Sequence, residues 1–157
     1  MFTKILLWVL LIAPWFTLFL LKKEDIKRYM PAAIFATLLM IIYNIIAANQ
    51  HHWELNIRLI SWLKPLFTSG IFGAFPVITI WIFYFTYQRF WIYLLTNIIL
   101  DFMFAVFPVH YLLQDVLGIY HLETTTTWER FIIFVVESVI IYGYFKWQEG
   151  IFQYKQS

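Results

Sequence analysis

From Pro65 to Gln88 the sequence runs twenty-four residues without a charged side chain, and from Ile5 to Leu21 another seventeen. A helix crossing a bilayer needs about 20 mostly apolar residues, with a working range of about 17–25. Apolar runs of that length recur along the whole chain. They account for a composition of 62% hydrophobic and 13% charged residues, where ordinary soluble domains have about 45–50% and about 25%. A soluble chain of 157 residues cannot hide so much apolar surface, because a domain of that size still leaves roughly 30% of its unfolded surface in water. A soluble enzyme, a disordered tail and a nucleic-acid binder are excluded. The fold class is all-α, a polytopic membrane helix bundle whose first partner is the lipid bilayer.

Five transmembrane helices are expected, over residues 5–21, 29–48, 67–87, 91–113 and 131–147, in a single membrane domain. The first lacks a small-x-small cleavage site at its end and reads as a retained span rather than a signal peptide. Pro14 kinks it, as membrane helices tolerate. The charged turn Lys22–Arg28 is short, so spans one and two should form a tight antiparallel hairpin. Pro31 falls in the first turn of span two, where a missing N–H costs nothing. Residues 49–66 have Trp53, Ile57, Ile60, Leu63 and Phe67 at helical spacing, with Glu54 and Arg58 as an i,i+4 pair. They read either as a short interfacial helix on the outer surface or as an extension of a neighbouring span. Thr124–Thr127 precedes Trp128-Glu129 and is a candidate cap for span five.

Lysine and arginine in short loops set orientation. With the N-terminus outside and the C-terminus cytoplasmic, the inner side carries Lys22, Lys23, Lys27, Arg28, Arg89, Lys146 and Lys155, against Lys4, Arg58, Lys64 and Arg130 outside. Trp53, Trp62 and Trp128 then fall at the outer interface and Trp91 and Trp147 at the inner one, as an aromatic belt requires. Trp15 and Trp81 lie deeper and need packing or hydrogen-bond partners. The absence of cysteine removes disulfides, thiolate catalysis and cysteine-ligated metal.

Ionisable groups inside a span cost roughly 2.5–3.5 kcal/mol each at its centre and mark either function or interhelical bonding. Asp101 lies ten residues past Trp91, about 15 Å into the membrane, with Asn97 one turn earlier on the same face and able to donate to its carboxylate. Glu137 and His110 lie at similar depths near the outer end and are candidates for a pair across neighbouring helices. Asp101 and His110 are nine residues apart and fall on opposite helix faces unless Pro108 rotates the outer half of span four. The functional reading is a ligand pocket or a proton or cation path through Asn97, Asp101, Glu137, His110 and Asn44. The structural reading is a set of interhelical hydrogen bonds.

Outside the bundle, His51, His52, Asp115, His121 and Glu123 offer metal-ligand chemistry, but on separate loops and without HExxH-type spacing; solvated loop residues are the expectation, with no metal and no cofactor. Ser69/Gly73 and Gly70/Ala74 have small-xxx-small spacing, which favours close internal packing over a dimer contact. No GxSxG, P-loop, GxGxxG or paired-histidine zinc motif occurs.

The stretches KRYMPAAIFATLLMIIYNII…HHWEL, FGAFPVITIWIFYFTYQRFWIYLLTNIILDFMFAVFP and LGIYHL resemble small multi-pass membrane proteins of spore-forming Gram-positive bacteria. There a Pro follows a basic turn, a Tyr-Asn ends an early span, and Leu-Gly-Ile-Tyr follows the Asp/Asn-bearing helix. The resemblance implies a bacterial plasma membrane and carries no activity and no functional residue. Three functions are compatible with the residues: a non-enzymatic accessory subunit or small-molecule/ion-binding module, working with a larger membrane partner or as a homo-oligomer; a small proton-coupled transporter or channel; or an intramembrane lipid-modifying enzyme with Asp101 or Glu137 as acid or base.

Overall fold

The structure, a computed structural model, describes residues 1–154. Its elements run α1 (Phe2–Thr17), α2 (Lys23–Asn49), β1 (Trp53–Leu55), α3 (Gly70–Thr86), α4 (Phe90–Ala105), α5 (Val109–Tyr111), β2 (Tyr120–Leu122) and α6 (Thr127–Tyr154). A tight turn, Leu18–Leu20, prolongs α1 and a wide turn, Leu112–Val116, prolongs α5. Four stretches, Phe2–Leu20, Lys23–Asn49, Phe90–Val116 and Thr127–Ile151, are helical, long and apolar enough to cross a membrane. Gly70–Thr86 is apolar but shorter. The all-α helical bundle is therefore as expected, with four full-length stretches and one short one.

Several boundaries differ from the sequence reading. The charged segment before span two is not a free turn: Lys23–Arg28 forms the first turns of α2, and Glu24 and Asp25 there suit the positive end of the helix dipole. Pro31 consequently lies inside α2 rather than in its first turn. The stretch of span four is present but interrupted: Pro108 cannot donate to the Phe104 carbonyl, so α4 stops at Ala105 and helix resumes at Val109. The tight hairpin of spans one and two does not form either. α1 packs on the wide first turn of α3, Gly70–Ala74, instead of on α2.

Two features explain that choice. Gly73 presents bare backbone to α1, and a β-carbon there would come within 2.6 Å of the Leu11 Cα. The Trp15 indole donates to the Phe72 carbonyl at 2.9 Å and the Trp81 indole to the Thr17 hydroxyl at 2.9 Å. Both deep tryptophans thus find partners, and the small residues of span three serve internal packing.

Residues 49–66 form no interfacial helix. α2 ends with His51 in the left-handed region (φ 52°), while the His52 N–H closes on the Ala47 carbonyl at 2.9 Å, a helix-ending arrangement that usually employs glycine. The chain then enters β1, which pairs antiparallel with β2, Trp53 opposite Leu122 and Leu55 opposite Tyr120. Glu54, expected to pair with Arg58, lies 3.9 Å from His121 instead.

The bundle has three apolar centres. At the end distant from the ribbon, Tyr29, Phe83, Tyr93 and Phe145 join α2, α3, α4 and α6; the Phe83 ring centroid lies 4.5 Å from that of Phe145 and 4.9 Å from that of Tyr93, both pairs tilted. Ala32, Ala33 and Ala36 are fully buried on α2 and let α3 approach closely. A second centre lies around Tyr43, Ile71 and Phe134. The third, beneath the ribbon, gathers Leu7, Leu55, Leu113 and Ile119.

These contacts fix which loops share an end. The ribbon joins the α2–α3 connection to the α5–α6 connection. At the opposite end, Arg28 donates to Glu149 and to the Tyr87 hydroxyl, and Lys146 lies 3.4 Å from Glu149. That end carries Lys22, Lys23, Lys27, Arg28, Arg89 and Lys146; Lys155 lies outside the described residues. Arg130 belongs to the ribbon end but is no loop charge, being 3% exposed.

Candidate functional site

An apolar-walled cavity of about 360 Å³ opens between α1, α3, α4 and α6. Asn97, Asp101 and Glu137, three of the five residues the sequence singles out, line it together with Thr79, Tyr93 and Ser138. Local sequence explains the arrangement. Tyr93, Asn97 and Asp101 recur every four residues and so share one face of α4, and Glu137 and Ser138 project from α6. The two helices are joined beside them by the Tyr93 hydroxyl, which donates to the Ser138 carbonyl at 2.8 Å.

Asn97 does not serve Asp101 as expected. Its amide donates to the Tyr93 carbonyl at 2.8 Å, a bond within α4 that holds the side chain against its own helix. The Asp101 Oδ2 atom is buried and has no hydrogen-bond partner. An unmatched buried carboxyl oxygen is costly, and the residue that bears it lines a cavity whose volume falls within the roughly 300–1,000 Å³ of small-molecule sites. Leu6, Ile78 and Leu100 contribute apolar wall.

His110 and Asn44 stand apart from this cavity. The expected His110–Glu137 pair does not form. His110 Nδ1 lies 2.7 Å from the Tyr120 hydroxyl and 3.4 Å from an Arg130 terminal nitrogen. Facing two donors, Nδ1 is the acceptor and the ring proton sits on Nε2. The interruption at Pro108 carries His110 towards β2 and away from Asp101, so no line of polar groups joins the two. Asn44 donates to the Met40 carbonyl at 2.9 Å and accepts from the Phe67 N–H at 3.4 Å, tying the entry of α3 to α2.

Arg130 is what the sequence reading missed. It donates to the Phe104 carbonyl at 3.1 Å and to the Tyr120 hydroxyl at 2.9 Å, and its guanidinium lies 5.0 Å from the Tyr120 ring and 6.0 Å from that of Trp53. The Phe104 carbonyl is free for it because residue 108 is proline. A signal was present in the sequence: Arg130 directly precedes the apolar run of span five and follows an acid three residues beyond a threonine, a spacing that turns the acid towards the helix cap.

At the ribbon end the histidine–carboxylate set condenses only in part. Glu54, His121 and Glu123 bring ligand atoms within 4.8 Å of one another, and His121 Nδ1 lies 3.2 Å from the Asn56 side-chain oxygen. Both carboxylates are largely exposed, as solvated loop residues are; His51, His52 and Asp115 are not part of the group.

No protein-family model, curated protein or solved structure matches the chain. Fold and site define its class: a helical protein with membrane-length apolar helices and a carboxylate-bearing cavity within the bundle.

Proposed function

We propose that the chain is a multi-pass plasma-membrane protein of five spans, N-terminus outside and C-terminus cytoplasmic, that binds a small molecule or ion in the Asp101–Glu137 cavity without transforming it. The single observation that carries this reading is the convergence of both intramembrane acids on one apolar-walled cavity, with an Asp101 oxygen buried and unpartnered. Purely structural acids are held by donors from neighbouring helices; the Asp101 Oδ2 has no such donor. The ligand class this suits is a largely apolar molecule bearing one hydrogen-bond donor or a cationic group. A larger membrane partner or a second copy of the chain would work with such a module, and the bacterial plasma membrane is the setting implied by the resemblance of residues 27–147.

Native mass spectrometry of the protein released from nanodiscs tests the proposal. The wild-type chain should retain a small-molecule adduct that Asp101→Asn loses while keeping its thermal unfolding temperature. A folded wild type without adduct overturns ligand retention. The convergence of two acids also supports a second reading, proton-coupled transport. Proton flux in proteoliposomes that disappears in Asp101→Asn and Glu137→Gln would favour it.

A further inference from the structure

The sequence scatters its histidines and carboxylates over two connections, and the ribbon gathers three of them. In the antiparallel register Glu54 stands directly opposite His121. Glu123 follows His121 by two residues and stays in register, its N–H donating to the His52 carbonyl at 2.9 Å. All three therefore share one face of the ribbon. His121 Nε2 lies 3.6 Å from a Glu123 oxygen and 3.9 Å from a Glu54 oxygen, and one ligand atom from each residue falls within 4.8 Å of the other two. Zinc bonds of about 2.0–2.2 Å set neighbouring donors of a tetrahedral ion roughly 3.3–3.6 Å apart. A small rotation of the two glutamate side chains closes the difference.

The histidine ring is already oriented for a metal. The Asn56 amide nitrogen donates to the Gly118 carbonyl at 3.3 Å, which turns the Asn56 oxygen towards His121, 3.2 Å from Nδ1. That oxygen only accepts, so Nδ1 carries a ring proton and donates it. In the neutral ring Nε2 then presents its lone pair to two carboxylates that also only accept. Three acceptors converge with no donor between them. Among the described residues no lysine or arginine lies within 4.0 Å of either glutamate. An Nδ1–H held by an oxygen is the arrangement found behind metal-ligating histidines, where it fixes the tautomer and the ring direction. Access is open as well: the side chains of Glu54, His121 and Glu123 are 57%, 46% and 35% exposed, so an ion enters from water and water completes its coordination.

We propose that Glu54, His121 and Glu123 form a binding site for a divalent transition-metal ion of the zinc type, with Asn56 as the residue that positions the histidine. The two carboxylates cancel the charge of such an ion. A nitrogen among the three ligands suits zinc better than calcium or magnesium, which take oxygen. A proton on Nε2 would fill the gap between the acceptors but offset only one of the two negative charges. The ion joins β1 to β2 and so clamps the α2–α3 connection to the α5–α6 connection. The site is independent of the Asp101 cavity.

Isothermal titration of zinc into the full chain, purified in detergent without a histidine tag, reads the site directly. One ion per chain should bind saturably and raise the thermal unfolding temperature relative to the chelated protein. His121→Ala should abolish both effects. Asn56→Ala, which removes no metal ligand, should weaken zinc affinity about 10–100-fold, as loss of an outer-shell partner does. Glu123→Gln should weaken it by at least as much; if His121→Ala does not fold, this exposed and nearly isosteric change still decides. A wild type that binds no zinc overturns the proposal. So does zinc affinity unchanged in Glu123→Gln. An equal response to calcium overturns it too, by reducing the site to surface attraction between carboxylates and any divalent cation. Affinity unchanged in Asn56→Ala overturns the positioning role of that residue.

Discussion

A β-carbon at position 73 would come within 2.6 Å of the Leu11 Cα, so α1 and the first turn of α3 touch backbone to backbone. With lipid tails as apolar as leucine, close packing is what holds such a helix in place. Gly73→Ala should therefore cost about 1–3 kcal/mol through overpacking, seen as a lower unfolding temperature in detergent. Gly143 and Gly150 have open space where a β-carbon would go. Gly143→Ala, inside α6, should be neutral or stabilising by about 0.5–1 kcal/mol, which separates a steric effect at 73 from a general effect of replacing glycine. Asp101 and Glu137 were legible from the sequence alone because an ionisable group inside an apolar run stands out against its surroundings. Arg130 was not. It sits at a span boundary next to an acid, where arginine is ordinarily solvated, and its burial depends on two strands contributed by loops more than sixty residues apart.

At the scale of elements, the start of α6 is fixed by a reciprocal cap. The Glu129 N–H donates to the Thr126 hydroxyl at 3.2 Å while the Glu129 carboxylate accepts from the Thr126 N–H at 2.9 Å, the capping-box arrangement of Thr-x-x-Glu. Thr126→Ala should destabilise the protein by about 1 kcal/mol and increase amide exchange in the first turn of α6. Glu129→Gln should retain most of the protection, since glutamine satisfies the same motif. The cap, the helices and their apolar character follow from local pattern and were readable. The ribbon was not, because β1 and β2 hold three residues each and Trp53, Ile57, Ile60 and Leu63 imitate helical periodicity. What selects the ribbon is non-local: Leu55 and Tyr120 are buried only when the two loops meet. The partner of α1 was hidden for the same reason. Chain proximity favours a hairpin with α2, but the glycine that admits α1 lies on α3.

For the whole molecule, the ribbon and the Arg28–Glu149–Tyr87 contact divide the loops into two sets that must lie on opposite sides of any membrane the bundle crosses. One set holds residues 50–69 and 117–126; the other holds residues 21–22 and 87–89, together with the exposed first turns of α2 at residues 23–28. The second set is rich in lysine and arginine, and burial of Arg130 widens that asymmetry by removing a cation from the exposed surface of the first. Basic short loops remain cytoplasmic, so the orientation proposed above puts the ribbon outside. The chain contains no cysteine, so single-cysteine variants report without background. On intact cells an impermeant maleimide should label cysteines at Ser61 and Glu123 and spare one at Lys22, all exposed positions. Labelling at Lys22 alone would reverse the orientation and leave the fold intact. Labelling at only one of positions 61 and 123 would place the two strands on different sides of the membrane. The ribbon would then be lost.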